Sequence, residues 1–243
     1  MVGLIFNNPI GSEKADRLVQ LLALQPASRV LDAGCGAGEF LMRAVAYHGC
    51  RGVGIDSDAR CINTARESAV TRGLASSCEF RAADVNEFEP DRGAFDLGVC
   101  IGSTHAFGAG DAAYPNTIRR LKEWVRPGGQ VLLGEGYWKQ EPAPEYLKRV
   151  GDPVGIYRDH RRNVSFAEER GLIPLYAAVS SDDEWDDFEW SHQRKIRSDA
   201  EANPDDPALA ARLTRSREWR DGYLRWGRST MGFGLYLFRL PAQ

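Results

Sequence analysis

Residues 30 to 40 read Val30-Leu31-Asp32-Ala33-Gly34-Cys35-Gly36-Ala37-Gly38-Glu39-Phe40. A short apolar strand leads through an acidic residue into a loop with glycine at every second position, and a helical pattern follows. Glycine allows the backbone of such a loop to approach a ligand closely. A dinucleotide-binding loop has the spacing GxGxxG, which would require glycine at position 39, where this chain has Glu39. The stretch therefore predicts a ligand-binding turn whose spacing departs from the dinucleotide fingerprint.

Strand and helix patterns alternate outward from this loop through the first two thirds of the chain. This alternation is the βαβ signature of an α/β protein, with helices on both faces of a parallel sheet. Ser12 is expected to cap the first helix, and Ser165-Phe166-Ala167-Glu168 has the spacing of a capping box for a later, short helix. Seven strands are predicted, at 29–32, 52–56, 78–82, 95–101, 130–135, 172–179 and 233–239. The first predicted helix spans 13–24, and three further helices before the fifth strand are predicted at 39–47, 58–72 and 114–125.

The composition of the 243 residues is that of an ordinary globular protein, with 43% apolar and 27% charged residues. This length allows one elaborated domain or at most two. No apolar run approaches the roughly 20 residues that cross a bilayer, and the start lacks the basic region of a signal peptide. Neither a membrane span nor a leader is therefore expected. A net charge of −3 provides no broad attraction toward nucleic acid or anionic lipid.

Cysteine and histidine are scattered rather than grouped. The five cysteines include no CxxC pair, which predicts free thiols in a reducing cytoplasm. The four histidines form no HExxH or similar ligand pair, so no metal site is expected. The acidic run 182–187 has the oxygen ligands that a divalent cation takes, but acids in the first turns of a helix also complement its dipole, and this solvated interpretation is preferred.

Two further acids follow the next two predicted strands, Asp56 and Asp84. Together with Asp32 and the GxGxG spacing, they resemble the motifs of the Rossmann-like, class I S-adenosylmethionine-dependent methyltransferases. The ligand of that family is a zwitterion with a sulfonium cation, and a nearby carboxylate favours a positive charge. The resemblance implies that Asp56 accepts from the ribose hydroxyls and Asp84 from the adenine amino group. The implied S-adenosylmethionine-binding residues are Asp32, Gly34, Cys35, Gly36, Gly38, Asp56, Ser57, Asp84, Val85, Cys100 and Ile101.

The resemblance covers residues 29–136, since 95–102 and 121–129 are also similar to family motifs. It implies a three-layer α/β sandwich with a seven-stranded, mostly parallel sheet, whose last strand lies antiparallel beside strand five. The long connection between strands six and seven carries apolar residues at helical spacing, which predicts a helical cap inserted there. A single methyltransferase domain, 1–243, is expected, with its core at 12–180 and 231–240 and the cap at 181–230.

In the family topology this cap lies over the carboxyl edge of the sheet, where ligands bind. Tryptophans after strand five and within the cap predict an aromatic-lined pocket with possible contributions from 137–163, although each tryptophan alone is more simply explained by helix packing. Direct contacts to the transferred group are expected just after strand four. The predicted substrate-binding residues are Ser103, Thr104, His105, Tyr137, Trp138, Trp185 and Trp226.

Two side chains are candidates for a catalytic base. A hydroxyl or amine nucleophile loses a proton around methyl transfer, and a histidine at position 105 is placed to accept it. Glu135, at the end of strand five, is the second candidate, as a base or as a substrate anchor. The alternative for His105 is a hydrogen bond to the loop backbone.

These features predict an S-adenosylmethionine-dependent methyltransferase that acts on a small-molecule acceptor of unknown identity and releases S-adenosylhomocysteine. Methylation of a nucleic acid or a protein, and NAD-dependent oxidoreduction, are the alternatives. Strand four is followed by no (Asn/Asp)-Pro-Pro-aromatic element, and Cys100 follows Val99 rather than proline, which disfavours adenine-amino and cytosine-C5 methylation. The sequence leaves open whether the protein is a monomer or a homodimer.

Overall fold

A computed structural model of the protein describes residues 4–151 and 154–242. The predicted domain 1–243, the interpretation of the N-terminus and the stretch 137–163 each include positions outside the described residues, namely 1–3, 152–153 and 243.

Seven strands form one sheet at the centre of the fold. They are β1 (Arg29–Ala33), β2 (Arg51–Asp56), β3 (Cys78–Ala82), β4 (Phe95–Ile101), β5 (Val125–Trp138), β6 (Ile173–Val179) and β7 (Met231–Arg239). Their order is β3-β2-β1-β4-β5-β7-β6. Strands β1 to β5 pair in parallel, and β7 is antiparallel to β5 and β6. The predicted seven-stranded, mostly parallel sheet with an antiparallel last strand is confirmed.

Helices cover both faces of this sheet and make the fold a three-layer sandwich. Those of seven or more residues are α1 (Ser12–Gln20), α2 (Glu39–His48), α3 (Ala59–Thr71), α4 (Ala113–Trp124), α5 (Pro144–Val150), α6 (His160–Glu168), α7 (Asp182–Ala202) and α8 (Pro207–Gly222). Helices α1 to α3 bury Leu18, Leu41 and Ile62 against one face. Helices α4 and α6 bury Ile118 and Phe166 against the other. None of the helices in the described part of the chain is long and apolar enough to cross a membrane.

The capping box predicted at Ser165 is wrong. Helix α6 begins five residues earlier, where the Asp159 side chain accepts from the N–H of Arg162 at 2.6 Å, and Ser165 lies inside the helix. A capping box is present at Ser181, whose hydroxyl accepts from the N–H of Glu184 while the Glu184 carboxylate accepts from the N–H of Ser181. Both sites match the spacing, and Asp159 is a strong competing N-cap because its carboxylate is also an effective acceptor.

The first helix also differs from its predicted boundaries. Ser12 is its first helical residue rather than its cap, because Gly11 occupies the N-cap position, and the helix ends at Gln20 instead of Leu24. The fifth strand is longer than predicted, with 14 residues from Val125 to Trp138. Its extension pairs with β7 as far as Trp138 opposite Met231, which carries the strand beyond the end of β4 at Ile101. Helices α7 and α8 fill the connection between β6 and β7, as the spacing of apolar residues predicts.

Candidate active site

The strand order reverses between β1 and β4, which are neighbours although two strands separate them in sequence. In an open α/β sheet, such a switch point leaves a crevice outside the carboxyl ends of the strands, where ligands bind. A cavity of about 900 Å³ lies there. Its walls include Asp32 in β1, the glycine loop, Asp56 at the end of β2 and Ser103 just after β4.

The glycine loop needs all three glycines, because φ is 78° at Gly34, 53° at Gly36 and 75° at Gly38. A Cβ at Gly34 would lie 2.3 Å from the Cβ of Ser103, and one at Gly38 would lie 2.4 Å from Cε1 of Phe80. An added Cβ at Gly36 would meet nothing within 4 Å. The outer glycines therefore let the loop pack against the protein, while Gly36 leaves the cavity open.

Four N–H groups of this loop already donate hydrogen bonds to other groups of the protein. Those of Gly34 and Cys35 donate to the carbonyl of Ile55 at 2.8 and 3.0 Å. The N–H of Gly36 donates to Oδ2 of Asp56 at 2.8 Å, and that of Gly38 donates to the carbonyl of Cys35 at 2.9 Å. A pyrophosphate-binding loop presents unpaired N–H groups to its ligand. These four N–H groups are therefore not available to a pyrophosphate.

Two carboxylates give the cavity a negative character. Asp32 is only 3% exposed, and burial together with repulsion from Asp56 raises the pKa of Asp32 from 3.8 to about 7. Asp56 accepts from the N–H groups of Gly36 and Asp58, and a carboxylate has further lone pairs for other donors. A ligand with a positive charge and hydroxyl donors matches these groups. S-adenosylmethionine, with its ammonium, sulfonium and ribose, has both.

The other predicted cofactor-binding residues divide into two groups. Cys35 and Ile101 line the cavity, and burial raises the pKa of the Cys35 thiol, which keeps it protonated. The cavity is lined by Asp58 as well as Asp56, and Ser57 between them is exposed. Away from these walls, Cys100 is fully buried in the core cluster on the α4 face of the sheet.

The turn after β3 places Asp84 and Val85 differently from each other. Asp84 is exposed, and its Oδ1 accepts from the N–H of Asn86 at 2.8 Å, so it caps the short turn that follows. Val85 is 5% exposed and packs into the core on the α4 face. The amide of Asn86 donates to the carbonyl of Ala106 at 2.7 Å, which ties this turn to the loop after β4.

The loop after β4 brings two of its three predicted residues to the cavity. Ser103 and His105 line it, and the Ser103 hydroxyl donates to the carbonyl of Gly34 at 3.2 Å. Thr104 is buried behind them. Its side chain hydrogen-bonds to Glu135, which also accepts from the N–H of Gly136 at 2.9 Å.

Glu135 is a buried acid that does not line this cavity. It is 8% exposed, and burial raises its pKa from 4.5 to about 6, although the bonds from Thr104 and Gly136 oppose the rise. The two candidate bases are therefore in different surroundings. His105 lines the cavity, whereas Glu135 is buried and hydrogen-bonds to Thr104.

A second cavity, of about 230 Å³, lies between the cap, α5 and the ends of β5 and β7. We call it the aromatic chamber, because seven aromatic side chains of the described residues line it, Trp138 and Trp185 among them. Tyr137 instead packs against Gly232, and its ring lies 5.3 Å from that of His160. Trp226 stacks 6.4 Å from Tyr146, behind the chamber wall. Of the four predicted aromatic substrate residues, two line the chamber and two support its surroundings.

Two segments of the chain line the first cavity although no sequence motif marks them. Residues 4–8 form part of its wall, as do His192, Arg194 and Lys195 of α7. Asn8 donates to the carbonyl of Ile101 at 3.5 Å, and its Oδ1 is buried without a hydrogen-bond partner among the described residues. An amphipathic pattern in 182–199 indicates the helix, but nothing in the sequence indicates that its polar face meets the glycine loop.

The acidic run at the start of α7 forms ion pairs. Asp182 lies 3.0 Å from Nζ of Lys139, and Asp186 lies 3.1 Å from Nη2 of Arg228. In the described part of the chain, no three His, Cys, Asp or Glu side chains cluster as metal ligands would.

Comparisons with known proteins agree with this geometry. The methyltransferase domain model Methyltransf_25 matches residues 30–129. A solved S-adenosylmethionine-dependent methyltransferase from Geobacter sulfurreducens, in complex with S-adenosyl-L-homocysteine, is 28% identical with a TM-score of 0.87, over 96% of this chain and 92% of that one. The Escherichia coli K12 protein YjhP is 26% identical over 95% of this chain and 92% of its own length.

Phosphoethanolamine N-methyltransferase 3 of Arabidopsis thaliana is 32% identical over 65% of this chain, which spans about a third, 32%, of that relative. The matched region contains the glycine loop, Asp56 and the end of β4, which form part of the walls of the larger cavity. Residues 30–129 are therefore those of a methyltransferase domain, and nearly the whole chain shares its fold with a solved S-adenosylmethionine-dependent methyltransferase.

Proposed function

We propose that the protein transfers a methyl group from S-adenosylmethionine to a small-molecule acceptor and releases S-adenosylhomocysteine. The observation that carries this proposal is the cover over part of the crevice. Residues 4–8 and the polar face of α7 stand in the same cavity wall as Asp32 and the glycine loop. Such a cover narrows the crevice, which suits a small acceptor better than a macromolecular strand, and it limits the access of water to a bound cofactor. Relatives with small acceptors, such as the plant phosphoethanolamine enzyme, also support it.

The cofactor supplies an activated methyl group on a sulfonium. In this proposal Asp32 holds its ammonium, the glycine loop approaches its backbone, and Asp56 accepts from its ribose hydroxyls. Ser57, Asp84, Val85 and Ile101 complete the nucleoside side, with Cys35 as a packing contact and Cys100 as buried support for the end of β4. Positioning and the exclusion of water are the main catalytic contributions of these residues.

We also propose a domain organisation, a compartment and a set of acceptor-binding residues for the protein. Residues 1–243 act as one domain, with core and cap as given above. Five free cysteines support a reducing compartment, the cytoplasm. Ser103, Thr104, Trp138 and Trp185 are assigned to the acceptor side, with Tyr137 and Trp226 behind them.

The test of the function uses labelled cofactor. Calorimetry is expected to show binding of S-adenosylmethionine and no binding of a nicotinamide nucleotide. Incubation with methyl-labelled S-adenosylmethionine and a metabolite extract is expected to label small molecules and to produce S-adenosylhomocysteine. Label that enters protein or nucleic acid instead would contradict the small-molecule assignment. Retained nicotinamide binding without S-adenosylmethionine binding would overturn the proposed reaction.

His105 is proposed as the catalytic base because it faces the cavity and Glu135 does not. The His105→Ala variant is expected to lower kcat by about 100-fold at saturating acceptor, the lower range of general-base contributions. Glu135→Gln, the comparison variant, is expected to change kcat less than tenfold, because its carboxylate hydrogen-bonds to Thr104 rather than facing the cavity. Steady-state kinetics with an acceptor from the extract measures both. Unchanged turnover in His105→Ala would remove the base role.

Glu184 is expected to hold the N-terminal segment over the cofactor. Its carboxylate forms an ion pair with Lys14 and accepts from the N–H groups of Gly11 and Ser181 at 2.8 and 2.7 Å. Burial opposes ionisation, but these bonds lower the pKa of Glu184 overall. The Glu184→Gln variant loses the ion pair, and its dissociation constant for S-adenosylhomocysteine is expected to rise about fivefold, in line with roughly 1 kcal/mol for a half-buried pair.

Hydrogen exchange provides the independent readout for this tether. Amides of residues 4–11 are expected to exchange faster in Glu184→Gln. The exposed neighbour Asp183, changed to Asn, is the control, because it lies in the same first turn of α7. Equal exchange in the two variants would show that the segment is held by its other contacts.

A further inference from the structure

The aromatic chamber contains a buried acid that the proposed cofactor chemistry does not use. Glu189 is 7% exposed and lines the chamber. Its Oε2 accepts from Nε1 of Trp219 at 2.8 Å. Among the ion pairs of the described residues, none involves Glu189. A buried carboxylate without a paired cation is unfavourable, and burial raises the pKa of Glu189, although the bond from Trp219 and the charge of His192 oppose the rise.

The other charged groups near the chamber are already engaged or solvated. The hydroxyl of Tyr223 donates to Asp186 at 2.7 Å, and Asp186 is paired with Arg228. Arg149 lines the chamber too, but it is exposed and donates to the carbonyl of Glu218. Solvent screens its charge far more than that of Glu189. The uncompensated buried charge of the chamber is therefore negative.

The aromatic walls add to the same preference. The ring of Trp138 stands at 73° to that of Tyr146 and at 83° to that of Tyr157, with centroids 6.3 and 5.2 Å away. Rings arranged at right angles present faces on more than one side of an enclosed space. Aromatic faces carry negative potential and attract cations, most strongly when the cation is weakly hydrated.

The chamber and the cofactor cavity have neighbouring wall residues on α7. Phe188 lines the chamber and His192 lines the other cavity, and their ring centroids lie 4.7 Å apart. A molecule that occupies the chamber is thus one layer of side chains from the cavity in which methyl transfer is proposed.

We propose that the aromatic chamber binds a cationic ammonium group of the methyl acceptor, between the aromatic faces and the Glu189 carboxylate. This inference rests on the proposed function and names its substrate class. A protonated or quaternary ammonium has no lone pair, so the anchored group is not the nucleophile. The reacting atom is a second group of the same molecule. The lone pair of this reacting atom forms the new bond to the methyl carbon while the carbon–sulfur bond breaks, and the electron pair of the broken bond stays on sulfur. The proton of the reacting atom passes to His105 or to water.

Choline and its uncharged isostere, 3,3-dimethylbutan-1-ol, test the charge preference at nearly constant shape. Each is titrated into the protein saturated with S-adenosylhomocysteine and followed by tryptophan fluorescence and calorimetry. Choline is expected to bind at least tenfold more tightly than the isostere. In Glu189→Gln this advantage is expected to fall about tenfold, with the affinity for the isostere unchanged.

Two further variants keep the test decisive. Asp187→Asn removes an exposed acid two residues away on the same helix and is expected to leave both affinities unchanged. Phe188→Leu removes one aromatic face and is expected to weaken choline alone, by threefold or more. Equal affinities of choline and the isostere in the wild type, or equal losses of both in Glu189→Gln, would overturn the inference. Wild-type protein that fails to bind S-adenosylhomocysteine would instead overturn the proposed function.

Discussion

The Asp32→Asn variant is expected to bind S-adenosylhomocysteine about 100-fold more weakly than the wild type and to be more stable without ligand. Asp32 is almost fully buried beside Asp56, and its pKa of about 7 reflects the cost of its charge in that position. A cationic ammonium offsets this cost when it binds. The neutral amide cannot, and losing a hydrogen-bonded partner for a buried charge typically costs about 2–4 kcal/mol.

The stability that Asp32→Asn gains over the wild type is expected to increase with pH. The folded state binds the proton of Asp32 more tightly than the unfolded state, in which the pKa is near 3.8. Wild-type stability is therefore lost as pH rises toward about 7, and the full cost is present above that value. Asp32→Asn is expected to exceed the wild type by on the order of 2–4 kcal/mol at pH 8, with the difference shrinking as pH falls.

Ligand binding shows the opposite trend, because the ammonium requires ionised Asp32. Wild-type affinity for S-adenosylhomocysteine is expected to fall up to about tenfold between pH 8 and pH 6, whereas that of Asp32→Asn stays nearly constant. Calorimetry at both pH values and urea unfolding of the free protein measure the two effects. Asp58→Asn is the control, since Asp58 also lines the cavity but caps α3, and asparagine is an equally good cap. A wild type whose affinity ignores pH would contradict the role of Asp32.

Gly38→Ala is expected to lower the free energy of unfolding by about 2–5 kcal/mol. Part of this arises because φ of 75° is unfavourable for alanine, at about 1–2 kcal/mol. The larger part arises because the new Cβ would lie 2.4 Å from the Phe80 ring and 3.2 Å from Cβ of Ala65. Overpacking of this kind costs about 1–3 kcal/mol, since the core cannot shift without moving α3 or β3.

The opposite end of the same helix offers a matched control. Gly49 follows α2 with φ of 67°, and nothing lies within 4 Å of an added Cβ there. Gly49→Ala is therefore expected to cost only the backbone term, about 1–2 kcal/mol. Urea unfolding of both variants isolates the steric part, and Phe80→Leu in the Gly38→Ala background is expected to recover some of it. Equal losses in the two single variants would show that the contact with Phe80 is relieved at little cost.

The cofactor half of the site could be predicted because its groups follow one another closely along the chain. Asp32, the three glycines and Asp56 lie within 25 residues, and parallel pairing of β1 with β2 brings them to one edge of the sheet. Each residue type there answers a local demand, either a positive φ or a charge near the ligand. The prediction was weaker where the spacing allowed two answers, as at Ser165, where Asp159 caps the helix instead.

The positions of the residues on the acceptor side of the site could not be predicted from local sequence patterns. Glu135 lies within β5 and His105 follows β4, but only His105 lines the cavity, whereas Glu135 is buried and hydrogen-bonds to Thr104. Tyr137 and Trp138 are neighbours in β5, and the alternation of a strand sends one ring toward His160 and the other into the aromatic chamber.

The sequence by itself determined the α/β class, the sheet with its antiparallel last strand, the cofactor loop and the presence of a helical cap. The class, the loop and the cap follow from periodicity and glycine spacing, which are properties of contiguous residues, and the antiparallel last strand follows from the family resemblance. Only the tertiary structure decided that residues 4–8 and the polar face of α7 line the cofactor cavity, and that Glu189 is buried among aromatic rings. The physical reason is that burial and charge compensation depend on which distant segments meet, and those segments are up to nearly 190 residues apart in the chain.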